Sequence, residues 1–238
     1  MSKEASPSKP LEDYALIGNM VTAALVARDG SIDWLCLPRF DSPACFAALL
    51  GGPEHGRWLI APEKSRVRAT RRSYYPGTAV LETRFETDGG EAAVIDFMPL
   101  TDDESKVDLV RTVRGIRGET ELHMELVLRF AYGQSVPWVR RRDYGLSAVA
   151  GPDAVELHTD VPLEGRDMTT RSRFTVREGE SVPLTLSYHL SHKTPHFVPD
   201  HQETLDHTVS AWREWSKRCR FECNNQRWND AVLRSLIT

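Results

Sequence analysis

The most chemically dense stretch of the sequence runs from Asp29 to Pro43 and reads DGSIDWLCLPRFDSP. It sets the carboxylates of Asp33 and Asp41 and the guanidinium of Arg39 among the rings of Trp34 and Phe40. Carboxylates and a guanidinium can hydrogen-bond sugar hydroxyls while aromatic faces lie against a sugar ring, the usual mix of an apolar wall with a few placed polar groups. The same residues also suit a hairpin and tight loop in which Arg39 pairs with an aspartate and the aromatics fill a core. Residue types alone favour that second reading.

Other candidates are weaker. Five of the eight histidines gather at His189, His192, His196, His201 and His207. Pro195 and Pro199 interrupt the segment and no helix supplies an HExxH geometry, so linker and surface histidines are expected rather than a metal site. Cys219 and Cys223 are not spaced as CxxC and read as ordinary reduced thiols. With Cys36 and Cys45 they are too few for a disulfide framework. Arg71-Arg72 and Arg140-Arg141-Arg142 read as solvated strand faces rather than anion sites. The sequence carries no GxSxG, phosphate-loop, dinucleotide or zinc signature. No catalytic residue, metal or cofactor is therefore assigned. A glycosidase-like pair needs two carboxylates at a defined separation across one sugar bond, which order along the chain does not give.

The elements that must position these residues read mainly as strands. Ala23–Ala27 and Ile32–Leu37 form a hairpin about Arg28–Ser31, with Asp29-Gly30 supplying the positive φ of a tight turn. Pro38 ends the second strand. Ser42 and Pro43 suit a helix start, so a short helix is expected over Pro43–Leu50. From Arg57 onward strands follow at Arg57–Ala61, Arg66–Tyr75, Ala79–Glu86 and Ala92–Met98. Val107–Arg117 and Glu119–Phe130 read as two strands split by Gly118. In the second, Leu122, Met124, Leu126, Leu128 and Phe130 share one face at period two. Trp138–Asp143, Leu146–Val149, Val155–Thr159, Thr170–Val176 and Val182–Leu190 complete the set. So many short strands between turn signals predict a large antiparallel two-sheet β-sandwich.

The pattern changes after His192. Lys193–His201, with its two prolines, reads as a linker. Glu203–Arg218 is helical, with Leu205, Val209, Trp212 and Trp215 on one stripe. Asn224 or Asn225 can cap a second helix whose stripe is Trp228, Val232, Leu233 and Leu236. That stripe runs to the last residues without a cap and is expected to need a partner. The expected organisation is a disordered tail over 1–10, a sandwich over 11–192, a linker with a helix over 193–223, and the start of a truncated helical domain over 224–238.

Composition is that of an ordinary globular chain: 238 residues, 40% hydrophobic and 27% charged, with a formal net charge of -4. That balance gives no basic nucleic-acid footprint. No stretch approaches the run of about 20 apolar residues that a membrane span needs. The start, Met1–Pro10, has no apolar core of a signal peptide. A soluble cytoplasmic protein is expected, with neither nucleic acid nor membrane as a partner.

The segment IGNMVTAALVARDGSIDWLCLPRFDSPACFAALLG, Ile17–Gly51, resembles the opening of bacterial and archaeal glycoside hydrolase family 15 proteins, which include glucoamylase-like enzymes and trehalases. YYPGTAVLETRF at Tyr74–Phe85, VIDFMPL at Val94–Leu100 and LVRTVRGIRGE at Leu109–Glu119 extend the resemblance over nearly the whole chain after the first ten residues. The resemblance implies an amino-terminal β-sandwich, a helical linker and a catalytic barrel of paired helices. It also implies inverting hydrolysis of an α-glucosidic bond by two glutamates of that barrel. RWNDAVLRSLIT at Arg227–Thr238 is similar to the barrel's first helix, so the glutamates fall outside this sequence and no catalytic residue is carried over. On this reading Trp34, Arg39, Phe40 and Asp41 border the sugar site, the missing barrel is the chain's partner, and an α-glucoside or trehalose is met through the complete enzyme. The alternative is a free-standing carbohydrate-binding or protein-interaction β-sandwich module.

Overall fold

The computed structural model describes residues 9–101, 103 and 106–237. The tail expected over 1–10 lies outside the described residues except for Lys9 and Pro10. Among the described residues, fifteen strands and two α-helices follow one another, and every strand pairing is antiparallel.

One sheet contains β1 (Tyr14–Gly18), β2 (Ala23–Ala27), β3 (Ser31–Cys36), β5 (Arg57–Ala61), the second half of β9 (Val107–Val127), β14 (Thr169–Arg177) and β13 (Glu164–Arg166), in that order. The short β4 (Ala44–Phe46) pairs with the end of β3. The other sheet contains β6 (Val67–Tyr74), β7 (Leu81–Thr87), β8 (Gly90–Phe97), the first half of β9, β15 (Ser181–Leu190), β12 (Asp153–His158), β11 (Gly145–Ala150) and β10 (Trp138–Arg142). β9 therefore runs through both sheets: β8 and β15 flank it up to Gly118, and β5 and β14 flank it beyond.

This corrects the expected division into two strands at Gly118. The glycine sits at φ 62°, a conformation that absorbs a sharp bend without ending the ladder. A side chain at the facing Gly90 would collide with the Arg117 carbonyl, so the corner is built on two glycines in close approach.

The inner faces follow period two. Along β7, Leu81, Thr83, Phe85 and Thr87 are buried and the intervening residues are half-buried. Trp58 and Ile60 of β5, Leu122, Met124 and Leu126 of β9, and Leu184, Leu186 and Tyr188 of β15 meet them in one core. β8 is apolar on both faces because both are covered. Val94 faces the sandwich, while Ile95 and Phe97 face a second cluster on the outside of the sheet.

That outer cluster is closed by α1 (His201–Ser216) through Leu205. Asp200 caps the helix by accepting the N–H groups of Gln202 and Glu203. The expected stripe is found: Leu205 and Trp212 are buried, Val209 and Trp215 half-buried. α2 (Gln226–Ile237) begins beside Asn225, whose side chain accepts the N–H of Arg227.

Two further expectations are corrected. Pro43–Leu50 is not a helix: Ala44–Phe46 pairs with β3, and a single 3-10 turn follows at Ala48–Leu50. The eight residues are too few to hold a helix by propensity. Ala44, Cys45 and Phe46 are all buried as a strand, and Ser42 accepts the Arg39 N–H instead of capping. The stripe of α2 is also not exposed throughout. Ile237 and Leu233 pack with Ala79, Leu100, Trp212 and Trp215, leaving Trp228 as the exposed large residue of the stripe.

Candidate functional site

The loop that follows β3 is fixed at its base and open at its tip. β3 stops at Cys36, and the Leu37–Pro38 peptide is cis. Beside it, the Asn19 side-chain oxygen accepts the N–H groups of Val21 and Thr22, and the Thr22 hydroxyl donates to the Cys36 carbonyl at 2.7 Å. The Phe40 N–H then donates to the Val21 carbonyl at 3.0 Å, so the two loops brace each other. The side chains at the tip point away from this scaffold. Phe40 is 67% exposed, and Arg39 Nε donates to Asp41 Oδ1 at 3.1 Å with both side chains mostly in solvent.

Trp34 is placed differently. It is half-buried against Cys36, Ala44 and Ala47, and its ring lies 6.1 Å from that of Tyr132, tilted by 43°. Tyr132 belongs to the turn after β9, where Ala131 and Tyr132 both have positive φ, and its N–H donates to the Ala44 carbonyl. The sequence reading did not single out Tyr132. The available signal was an aromatic residue directly before Gly133 in a turn. An open hollow of ≈ 310 Å³ adjoins the loop, lined by Leu37, Pro38, Ser42, Pro43, Phe130 and neighbouring residues.

Asp33 turns away from this surface. Its carboxylate is buried and receives hydrogen bonds from the Ser31 and Tyr14 hydroxyls and from Lys9 Nζ. Burial alone would raise its pKa, but the hydrogen bonds of Ser31 and Lys9, the Lys9 charge and the Tyr14 hydroxyl outweigh it and hold the carboxyl below its ordinary 3.8. A carboxylate held ionised by three donors is a poor general acid. Asp33 is therefore a support for the hairpin, and Asp41 stands with Arg39 at the surface.

The remaining sequence candidates resolve into local partners. His189 Nε2 lies 3.0 Å from Glu156 Oε1, and His196 Nε2 lies 2.9 Å from Asp108 Oδ1. Among the described residues no group of three or more histidines, cysteines or carboxylates is arranged to hold a metal ion. All four cysteines are free thiols, Cys36 and Cys45 buried and Cys219 and Cys223 exposed. Arg72 donates to the carbonyls of Asp13 and Val26, Arg71 to Glu86, and Arg141 to the Leu163 carbonyl. The Arg140 guanidinium lies 5.5 Å from the centre of the Trp138 ring.

A second open surface lies where the helices meet the sandwich. Met20, Leu100, Ala211 and Trp215 line a hollow of ≈ 480 Å³, with the Arg218 guanidinium 3.9 Å from the centre of the Trp215 ring. α2 is tied to the sandwich by Arg234, whose guanidinium lies 3.8 Å from the centre of the Tyr74 ring and donates to the Thr78 carbonyl. Met20 belongs to the turn that braces Phe40, so the loop tip and the helical surface share one supporting turn.

These features define a large antiparallel β-sandwich with a braced surface loop and appended helices. The family model for trehalase-like N-terminal domains matches residues 4–203, and the chain belongs to that family. Among curated relatives, the trehalase of Mycolicibacterium smegmatis is 31% identical over 98% of this chain and 38% of its own length. The trehalase of Mycobacterium tuberculosis is 29% identical over 98% of the chain and 37% of its own. Trehalase 1 of Sulfolobus acidocaldarius is 28% identical, covering 94% and 36% respectively. The chain thus spans well under half the length of these relatives. A bacterial glucoamylase solved with acarbose superposes with a TM-score of 0.59 over 91% of this chain and 38% of that one. At 9% identity that likeness shows a shared fold. No helix among the described residues is long and apolar enough to cross a membrane.

Proposed function

We propose that this chain is the non-catalytic N-terminal domain of an enzyme that hydrolyses α-glucosides, of trehalase or glucoamylase type. In this reading residues 11–192 form the sandwich domain, 193–223 the linker, and 224–238 the first helix of the catalytic barrel. The barrel supplies both the acid and the base that direct water onto the anomeric carbon. The sandwich packs on the barrel, and Trp34, Arg39, Phe40 and Asp41 border its sugar site.

The observation that carries this reading is the braced loop: a family member holds Phe40, Arg39 and Asp41 outside a rigid base, where their side chains serve no core. Rigid scaffolds that hold polar and aromatic side chains on a loop are the usual way to build a recognition edge. The open hollow at Met20, Leu100 and Trp215 is the surface proposed to receive the barrel. Four free thiols fit a cytoplasmic location.

The test joins this domain to its barrel. Arg39→Ala with Asp41→Ala is expected to lower kcat/KM for trehalose or a malto-oligosaccharide by about tenfold, the worth of one lost charged hydrogen bond. Unchanged kinetics at unchanged stability would remove the loop from the sugar site. Purified by itself, the 238-residue chain is expected to release no glucose from trehalose, maltose or maltotetraose above a mock-purified control.

A further inference from the structure

The segment between β15 and α1 lies as a strap across the outer face of the second sheet, and two side chains hold it there. The Phe197 ring meets the His158 ring edge-on at 4.4 Å and the Tyr144 ring at 5.4 Å. Tyr144 and His158 stack on each other at 4.8 Å, so Phe197 closes a three-ring cluster. One residue earlier, His196 bonds to Asp108 of β9. Val198 then packs against the cluster under α1.

Beneath the strap lie two carboxylates, and both are already committed. Glu156 accepts the hydroxyls of Tyr144 and Ser147 and bonds to His189. Asp108 accepts the Ser187 hydroxyl and bonds to His196. The neighbouring His201 has the Thr185 hydroxyl at 2.9 Å, an oxygen able to accept a proton donor. His158 differs from all of these: its Nε2 is buried and has no hydrogen-bond partner. Neutral, it can leave that nitrogen as a lone pair at modest cost. Charged, it must bury an N–H⁺ with no acceptor, which is costly.

We propose that the strap is a proton-operated latch, closed on the sheet while His158 is neutral and released when its imidazole takes up a proton. Release hydrates the new N–H⁺, separates Phe197 from the ring pair and loosens the entry into α1, while Leu205 and Trp212 keep the helix body docked.

The charges facing His158 act in both directions. Burial holds its imidazole below the ordinary histidine value of 6.5, against the pull of Glu156 on its own strand and Asp108 on β9. His196 on the strap and His201 at the start of α1 add to the depression. Arg142 reaches the cluster beside Tyr144. His201, with Asp200, Asp108 and Asp160 around it, is also depressed by burial. The open state binds the proton more readily, so closure is complete above about pH 6.5 and is lost as pH falls. For one proton taken up on opening, the closed fraction relative to the open one falls by up to about tenfold per pH unit.

The test is nuclear magnetic resonance on the intact chain. The ring protons of His158 report its titration, and amide ¹⁵N order parameters of Thr194, His196, Phe197 and Val198 report the strap. These order parameters are expected to fall from about 0.85 to below about 0.6 on acidification, with a midpoint below 6.5 that coincides with the His158 titration. In His158→Phe, which keeps a ring but cannot titrate, the strap is expected to stay ordered throughout. Order parameters that ignore the His158 titration would overturn the latch, as would loosening in His158→Phe at the wild-type midpoint. Should that variant fail to fold, the two wild-type midpoints decide the question by their agreement or disagreement.

Discussion

Arg111 and Asp96 meet in the centre of the sandwich, and Arg39 and Asp41 meet at the tip of the loop after β3. The chemistry of the two pairs is the same and their surroundings are opposite. Arg111 and Asp96 are wholly buried, with Nε to Oδ1 at 2.7 Å, and the rest of the guanidinium donates to the carbonyls of Trp58 and Gly30. It also lies 5.3 Å from the centre of the Trp58 ring. One side chain of the second sheet thus fastens β5 and the β2–β3 turn of the first. Arg39 and Asp41 are side by side in one loop, with both side chains largely in water. An ion pair inside the fold is a structural clamp, whereas one held mostly in water contributes little to stability.

The largest test of this contrast is Asp96→Ala. It leaves the Arg111 charge buried without its carboxylate and is expected to cost about 3–5 kcal/mol in urea unfolding. A smaller loss would mean that the Trp58 and Gly30 carbonyls satisfy the guanidinium without help. Replacing both members, Arg111→Met with Asp96→Leu, is expected to cost less than Asp96→Ala alone, by about 1–2 kcal/mol, because no charge is stranded.

Asp33 sharpens the comparison between the extremes, since it is buried but sits in the loop's own hairpin. Its folded pKa is below the ordinary carboxylate value, so its contribution is present above about pH 4 and is lost as pH falls through the folded value. Stability measured from about pH 5 down to about pH 2.5 should show a shallower acid decline in Asp33→Asn than in the wild type. An equal decline would assign acid sensitivity to other carboxylates. The smallest effect is expected at the surface pair, where Arg39→Ala with Asp41→Ala should change the stability of this chain by no more than about 0.5 kcal/mol. A larger loss would make the pair a structural element like Arg111–Asp96 and weaken the proposed role at a sugar site.

The strands were the legible part of the fold. β5 coincides with the segment read at Arg57–Ala61, and the hairpin turn at Asp29-Gly30 carries the expected positive φ at Gly30. Period-two burial and turn residues are local signals, and in antiparallel sheets they survive into the structure. The misreadings arose where a local signal met a tertiary demand. Ser42-Pro43 resembled a helix start, but the edge of β3 recruited Ala44–Phe46 as a strand. Gly118 resembled a break, but strands on both sides held β9 together across it. β1 and the short β13 were not read at all.

The candidate site shows the same division. Its loop residues stood out as a dense motif, yet nothing in DGSIDWLCLPRFDSP distinguishes the carboxylate of Asp33, which supports the hairpin, from that of Asp41, which faces solvent. Tyr132 stands far along the chain from Trp34 and meets it only because the turn after β9 folds beside β4.

The sequence by itself determined the strand-rich character of residues 11–192, the two helices after the prolines, and the motif that marks the family. Those properties depend on neighbouring residues, through alternation, turn chemistry and helix capping. Only the tertiary structure decided that one strand crosses both sheets, that Arg111 spans them while Arg39 stays outside, and that His158 alone among its neighbours lacks an acceptor under the strap. Each depends on which distant groups converge on one point, and hydrogen-bond satisfaction and burial are properties of that convergence rather than of the chain's order.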